Sequence, residues 1–327
     1  MTDRILRWGL LSTAQINGAL IPRLRASERN QLVAVASRTA QQAEAYAREW
    51  EIPRAHGTYE SLLADPDVDV IYNPLPNHLH AEWTIKALRA GKHVLCEKPL
   101  VLSVQEVDEI IQAVNETGKV VAEAFMYRHH PKTLKVKEVV DSGALGDLQI
   151  IRGLFTATFD RKDNYRLVKE MGGGSLWDVG CYPVSYTRLI VGEKPREVFG
   201  WQVDSRTGTD ETFMGQMRFE NGVLAQFVCG FASPFRTSME VIGSQGTLTV
   251  PHPFHPGLNE KIHLQVGDEA ETITIPGQDP YIGEVEDMAD AILLGRQPRM
   301  SLADSRDIIE TIVGLFESAR TGKPVGL

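Results

Sequence analysis

Leu6-Arg7-Trp8-Gly9-Leu10-Leu11-Ser12-Thr13-Ala14-Gln15-Ile16 is the stretch that decides the fold. Leu6 to Leu11 is an apolar run of strand length. From Gln15 to Ala26 the residues Ile16, Ala19, Leu20 and Leu24 recur at helical spacing. A strand that turns directly into a helix points the helix's first N–H groups at whatever sits beyond the strand end. Working outward, the same alternation continues. Gln31 to Ala36 reads as a strand, Thr39 to Trp50 as a helix, Val68 to Tyr72 as a strand and His78 to Ala90 as a helix. His93 to Cys96, the helix Val104 to Thr117 and the strand Val120 to Ala122 follow. Regular strand–helix alternation predicts a parallel, doubly wound sheet.

Beyond about residue 123 the rhythm changes. Leu148–Phe159, Val198–Val203, Thr212–Phe219, Val223–Gly230, Ser238–Ile242, Thr247–Val250, Lys261–Val266 and Thr272–Ile275 are strand-like. Turn signals such as Glu220-Asn221-Gly222 and Gly243-Ser244-Gln245-Gly246 join many of them. Short connections between successive strands predict an antiparallel sheet. Helical patterns return at Gly283–Leu294 and Ser301–Ala319. At 327 residues two domains are expected, 1–122 and 123–327.

Composition narrows the function classes. A net charge of -9, with 43% hydrophobic and 24% charged residues, describes a soluble globular protein and argues against nucleic acid or an anionic membrane as partner. The N-terminal Met1-Thr2-Asp3-Arg4-Ile5-Leu6-Arg7 has no signal-peptide core, and no apolar run is long enough to span a bilayer, so a cytoplasmic location is expected. Cys96, Cys181 and Cys229 form neither a disulfide framework nor a zinc pattern. They are expected to be small core residues.

The turn after the first strand lies where a dinucleotide fold carries G-x-G-x-x-G, with Gly9 followed by Ser12 and Ala14 where glycines are commoner. Small side chains still admit a pyrophosphate to the backbone, and Ser12 or Thr13 can donate a hydroxyl. The second strand ends in Ser37-Arg38-Thr39 without the acidic residue that would bind an adenosine ribose. An arginine there suits a 2'-phosphate, so NADP is the expected cofactor, with NAD possible.

Two further segments carry chemistry. Glu97-Lys98-Pro99 follows a short apolar run, at the kind of strand end where such sheets bind ligands. Gly172-Gly173-Gly174-Ser175-Leu176-Trp177-Asp178-Val179-Gly180-Cys181-Tyr182-Pro183 places Asp178 and Tyr182 at i, i+4, on one helix face. An ammonium, a carboxylate and a phenol suit proton transfer at a hydroxyl or carbonyl oxygen. Ser175-x-x-Asp178 also matches a capping box, in which Asp178 would satisfy a backbone N–H. Pro183 is expected to loosen its helix by denying an N–H to the carbonyl of Val179. Asn77-His78-Leu79-His80 is not a metal pair, since alternate residues do not share a helix face, and no metal site is expected. His252 and His255, in Pro251-His252-Pro253-Phe254-His255-Pro256, are read as surface or loop-edge residues.

Gly9-x-x-Ser12-x-Ala14, Ala36-Ser37-Arg38, Asn73-Pro74-Leu75-Pro76-Asn77-His78-Leu79-His80, Glu97-Lys98-Pro99, Glu123-Ala124 and the Gly172–Tyr182 segment together resemble the glucose-fructose oxidoreductase, inositol dehydrogenase and MocA (Gfo/Idh/MocA) family over nearly the whole chain. Glu123-Ala124-Phe125-Met126-Tyr127-Arg128 and Gly180-Cys181-Tyr182-Pro183 look closest to its dihydrodiol dehydrogenase and xylose dehydrogenase branch. The resemblance implies an N-terminal Rossmann domain and a C-terminal α+β domain with a large, mainly antiparallel open sheet. It also implies hydride exchange with NAD(P), an often cis Lys98-Pro99 bond and catalytic roles for Lys98, Asp178 and Tyr182. In that reading Tyr182 is the acid/base, Lys98 favours its tyrosinate, and Asp178 orients the lysine or binds a substrate hydroxyl.

The expected cofactor-binding set is Ser12, Thr13, Ala14, Gln15, Ile16, Ser37, Arg38, Asn73, Pro74, Leu75, Asn77, His80, Glu97, Lys98 and Arg166. The arginine of Asn164-Tyr165-Arg166 resembles a family residue that approaches cofactor or substrate. The expected substrate-binding set is Lys98, Glu123, Tyr127, Arg128, Asp178, Tyr182 and Tyr281. The function expected is an NADP-dependent oxidoreductase of a sugar, polyol or cyclic diol, as a homodimer or homotetramer through the C-terminal sheet. The alternative is a dinucleotide-binding sensor or scaffold that has lost its chemistry.

Overall fold

A computed structural model describes residues 4–159 and 164–327; Met1, Thr2 and Asp3 of the N-terminal stretch lie outside the described residues. Contacts divide the chain into two compact units. One takes the chain up to Val101 with Gln105–Met126 and Tyr281–Ser305, and the other takes Leu102–Val104, Tyr127–Pro280 and Arg306–Leu327.

The first unit alternates as β1 (Leu6–Leu11), α1 (Asn17–Ala26), β2 (Asn30–Ala36), α2 (Ala40–Glu49), β3 (Arg54–His56), α3 (Tyr59–Leu63), β4 (Val70–Asn73), α4 (His80–Arg89), β5 (His93–Glu97), α5 (Val104–Thr117) and β6 (Val121–Ala124). β3 and α3 are too short for periodicity to announce them. The strands form one parallel sheet in the order β3-β2-β1-β4-β5-β6. β4 and β6 are buried along their whole length, and β4 opens on consecutive apolar residues rather than alternating ones. The order reverses between β1 and β4, so the ligand crevice of this topology opens beyond the carboxyl ends of those strands. Thr39 caps α2 by accepting from the Gln42 amide at 3.3 Å.

The second unit opens with α6 (Pro131–Asp141), which the alternating pattern did not announce. It continues through β7 (Leu148–Thr158), a π turn at Leu176–Gly180, α7 (Cys181–Val191), β8 (Glu197–Asp204), β9 (Asp210–Arg218), β10 (Leu224–Gly230), β11 (Ala232–Gly243), β12 (Gly246–Pro251), β13 (Asn259–Val266) and β14 (Glu269–Pro276). After α8 (Ile282–Leu294) and α9 (Leu302–Thr321), β15 (Val325–Gly326) completes a nine-stranded sheet, β14-β13-β12-β11-β7-β10-β9-β8-β15. β7 and β10 run parallel and every other neighbouring pair is antiparallel.

Side chains alternate across this sheet. Phe155, Phe213, Met217, Phe227, Met239 and Val241 are buried on one face, whereas Trp201 (54% exposed), Val203 (60%), Met214 (43%) and Leu224 (53%) stand on the other. Gly153 lets α7 approach, because a Cβ there would lie 2.7 Å from the Pro183 Cβ.

The expected boundary after residue 122 leaves Tyr281–Ser305 outside the first unit. Contacts place that segment within it, because Val285, Met288 and Ala289 of α8 share a core with Leu6, Trp8 and Leu20. All three cysteines are buried, and none is in a disulfide. Among the described residues no helix is long and apolar enough to cross a membrane.

Candidate active site

In the first unit the expected cofactor residues gather at the carboxyl ends of the strands. Ser12 follows β1 at φ 131°, a region that glycine adopts freely and serine rarely. Among the described residues its hydroxyl oxygen is buried without a hydrogen-bond partner. α1 begins just beyond, with no side-chain cap and no acidic residue in its first turn. The Asn17, Gly18 and Ala19 amides already donate to Ala14, Gln15 and Ile16 carbonyls, so what suits a pyrophosphate here is the positive end of α1 together with the unsatisfied Ser12 hydroxyl. At the end of β2, Ser37 is buried and bonds Gln42 at 3.1 Å, while Arg38 is exposed. Burial raises the Tyr59 hydroxyl pKa, and the Arg38 charge opposes that rise.

β4 and β5 carry the next two segments. Asn73 donates to the Thr84 hydroxyl at 3.2 Å and the His80 carbonyl at 3.3 Å, and accepts from the Leu75 amide at 3.4 Å. Both ring nitrogens of His80 face carbonyls, Pro99 O at 2.8 Å and Leu75 O at 2.6 Å. Burial pulls the His80 pKa down although those carbonyls favour the cation. His80 therefore ties the Asn73–Leu75 turn to the segment after Lys98. The Lys98-Pro99 bond is cis. Glu97 accepts from the Tyr72 hydroxyl at 2.5 Å and from the Lys98 amide at 3.3 Å. Burial first, and then the Glu97 and Glu284 charges, push the Tyr72 hydroxyl pKa far up, so Tyr72 keeps its proton and donates it to Glu97. Lys98 itself is half-buried at this edge.

In the second unit Tyr182 is 5% exposed and sits in a nest of rings. Phe155, Phe254, Tyr127 and His255 lie with centroids at 5.3, 5.5, 5.8 and 5.8 Å from its own. The loop carrying Phe254 and His255 is pinned at both ends. The buried Lys132 ammonium bonds Pro251 O and Glu260, and His130 lies 3.1 Å from Gly257 O. Burial resists the Glu260 charge, but the Lys132 hydrogen bond overrides it and holds that carboxyl below its ordinary pKa.

Asp178, on the π turn before Pro183, pairs with Arg166 at 2.7 Å. The guanidinium also lies over the Tyr165 ring at 4.8 Å. Burial works against the Arg166 charge, yet Asp178 outweighs it, helped by Tyr165 and Tyr182, and the guanidinium pKa rises. The site thus presents a phenol beside a fixed cation–carboxylate pair.

The expected site residues take the following places in the fold. Ser175 does not build a capping box. It has helical dihedrals and no side-chain cap bond, and its hydroxyl goes to Asp210 instead. Asp178 pairs with Arg166. Arg166, expected at the cofactor, belongs to the second unit, where its guanidinium engages Asp178. Tyr127 and Arg128, expected to face substrate, are buried beneath α7; Tyr127 donates to the Ser185 hydroxyl at 2.8 Å and Arg128 to the Ser185 carbonyl at 3.0 Å. Glu123 is likewise buried and accepts from the Leu100 amide at 2.8 Å. Tyr281 precedes α8 in the first unit, its ring 6.0 Å from Arg23.

Phe155, Phe254 and His255 were not anticipated as neighbours of Tyr182. The Pro-rich loop around His255 was visible as a loop, but nothing local shows what it packs on. Among the described residues no group of three metal-ligating side chains occurs.

Comparison with known proteins identifies the family. Residues 6–125 match the oxidoreductase family model with an NAD-binding Rossmann fold, and residues 133–249 match the GFO/IDH/MocA C-terminal domain. The chain is 37% identical to a D-xylose 1-dehydrogenase (NADP(+)) of Haloferax volcanii, over 98% of this chain and 100% of that one. It is 31% identical to a trans-1,2-dihydrobenzene-1,2-diol dehydrogenase of Danio rerio, over 92% of each. A 3-ketoreductase from Actinomadura kijaniata, solved with NADP and TDP-benzene, superposes with a TM-score of 0.91 at 29% identity, covering 96% of this chain and 98% of that one. From the alternating strands, the turn after β1, the Lys98 strand end and these matches, the chain belongs to the Gfo/Idh/MocA family of oxidoreductases.

Proposed function

We propose that the protein is an NADP-dependent oxidoreductase that interconverts a CH–OH group and a carbonyl on a sugar, polyol or cyclic diol. The observation that carries this reading is Tyr182: a phenol among apolar rings, beside a fixed Arg166–Asp178 pair. Aromatic walls suit the carbon face of a ring, and a guanidinium lowers the cost of a tyrosinate. Ser12, the first turn of α1 and Arg38 would hold the dinucleotide, with Arg38 on the 2'-phosphate. When bound, NADP supplies a hydride acceptor, and its reduced form a donor.

In oxidation Tyr182, as tyrosinate, takes the hydroxyl proton while the adjoining C–H electron pair leaves as hydride and the C=O bond forms. Lys98 hydrogen-bonds the reacting oxygen and favours the tyrosinate. In reduction Tyr182 returns the proton. Arg166 and Asp178 hold one another in place and offer their remaining polar edges to substrate hydroxyls.

The reading is tested by incubating the purified protein with NADP and a panel of aldoses, polyols and cyclic trans-diols while following the reduced-nicotinamide absorbance band. Turnover confined to one class supports it and names the substrate. Tight NADPH binding without turnover in either direction would favour the sensor alternative. The same proposal places the protein in the cytoplasm and gives it a second copy through the exposed face of the nine-stranded sheet, where Trp201 and Met214 are cross-strand neighbours.

A further inference from the structure

The helix that carries Asp178 and Tyr182 is capped from outside. Asp210, at the start of β9, is 35 residues further along the chain than Ser175 and only 3% exposed. Its Oδ2 accepts from the Ser175 hydroxyl at 2.7 Å and from the Leu176 amide at 2.7 Å. The other oxygen, Oδ1, closes on the triple glycine: a Cβ at Gly174 would lie 2.0 Å from it, and Gly174 sits at φ 120°. The same turn is tied to the arginine of the ion pair, because the Gly174 amide donates to Arg166 O at 2.9 Å and the Gly173 amide to Val168 O at 3.0 Å. A Cβ at Gly173 would lie 2.6 Å from Arg166 O. Both members of the Arg166–Asp178 pair and the start of the Tyr182 helix therefore meet at a turn gripped by one carboxylate.

We infer that Asp210 is a positioning residue for catalysis: its carboxylate clamps the Gly172–Ser175 turn so that the Arg166–Asp178 pair and the Tyr182 phenol are held in one fixed frame. This rests on the proposed role of Tyr182 as acid/base. Two donors aimed at one oxygen fix both the rotation and the axial position of the helix. The glycines at 173 and 174 are required by the same contact, since any side chain there meets the Arg166 carbonyl or the Asp210 carboxylate.

The test compares wild type with Asp210→Ala, Asp210→Asn and Ser175→Ala in steady-state turnover, NADPH binding and amide hydrogen exchange. Loss of the clamp in Asp210→Ala is expected to lower kcat by roughly 10- to 100-fold, as misplacing a reacting group by about 1 Å does. The KM for NADPH should stay within about twofold, because the expected dinucleotide residues other than Arg166 lie in the first unit. Asp210→Asn keeps an acceptor for Ser175 and Leu176 and is expected to recover most of kcat. Ser175→Ala keeps the Leu176 bond and should fall between. Amides of residues 174–178 should exchange faster in Asp210→Ala and not in Asp210→Asn, a readout that needs no substrate.

Wild-type kcat and wild-type exchange in folded Asp210→Ala would overturn the inference. So would equal loss of kcat in Asp210→Asn and Asp210→Ala with exchange unchanged in both. Should Asp210→Ala fail to fold, unchanged kcat and exchange in Ser175→Ala would overturn it as well. Tyr182→Phe is run alongside: if it retains turnover, the acid/base reading fails, and the exchange data still decide whether Asp210 clamps the turn.

Discussion

Tyr182→Phe is the sharpest single perturbation of the proposed chemistry, because the structure separates its catalytic from its packing consequence. The ring of Tyr182 touches four others at centroid distances of 5.3 to 5.8 Å, and phenylalanine keeps every one of those contacts. Only the hydroxyl is lost, so the stability change should stay within about 1 kcal/mol, the scale of one hydrogen bond. In a chain of this size that moves Tm by only about 2–4 °C. A positioned acid/base contributes roughly 10²- to 10⁴-fold in rate, or about 2.7 to 5.4 kcal/mol of barrier. Turnover should therefore collapse in a protein that melts almost as wild type does. Lys98→Met should cost a similar factor, and under the proposed mechanism the double mutant should be little worse than the poorer single. The assay is steady-state turnover with a substrate identified on wild type, together with thermal melts and NADPH titration. Turnover within threefold of wild type in folded Tyr182→Phe would refute the assignment and move suspicion to His255 or a bound water.

Three other outcomes follow from named residues. Arg38→Ala should reduce the preference for NADP over NAD by roughly one to two orders of magnitude, the worth of a charge-assisted bond of about 1.5–3 kcal/mol; paired binding titrations read it, and an unchanged ratio contradicts the 2'-phosphate role. Burial pushes the Asp210 carboxyl up to about 6 from an ordinary 3.8, against the lowering bonds from Ser175 and Leu176. The fold thus favours its protonated form, and stability present below pH 3.8 is lost as pH rises through about 6; the gap amounts to roughly 3 kcal/mol. Denaturant unfolding should show Asp210→Asn gaining on wild type by up to that amount between about pH 4 and pH 7, and a constant difference would contradict it. Finally, light scattering at micromolar concentration should show at least a dimer that Trp201→Lys with Met214→Lys dissociates, and a monomeric wild type would count against the sheet-face assembly.

Much of the molecule was legible along the chain. The apolar runs at Leu6–Leu11, His93–Glu97 and Leu224–Gly230 each fix a strand because burial on one or both faces is written in consecutive residues. Glu97-Lys98-Pro99 and Tyr182 stood out because an ionisable group beside a strand end or on a helix face is visible over a handful of positions. β3, α3 and α6 were missed, the first two for their length and α6 because the alternating pattern does not announce it.

What only the tertiary structure decided is which of several available partners each polar group takes. Ser175 and Asp178 spell a local cap, but the helix start is satisfied by Asp210 and Asp178 goes to Arg166. Tyr127, Arg128 and Glu123 have the chemistry of substrate contacts, and in the fold they are buried with Ser185 and the Leu100 amide among their partners. Tyr281–Ser305 follows the second sheet in sequence yet joins the first unit, because the apolar face of α8 completes the core around β1. The sequence by itself determined the alternation of elements, the strand–turn–helix after β1 and the identity of the candidate reactive groups, since these depend on near neighbours. Partner choice rests on burial and on contacts between residues tens of positions apart, so it exists only once the chain has folded.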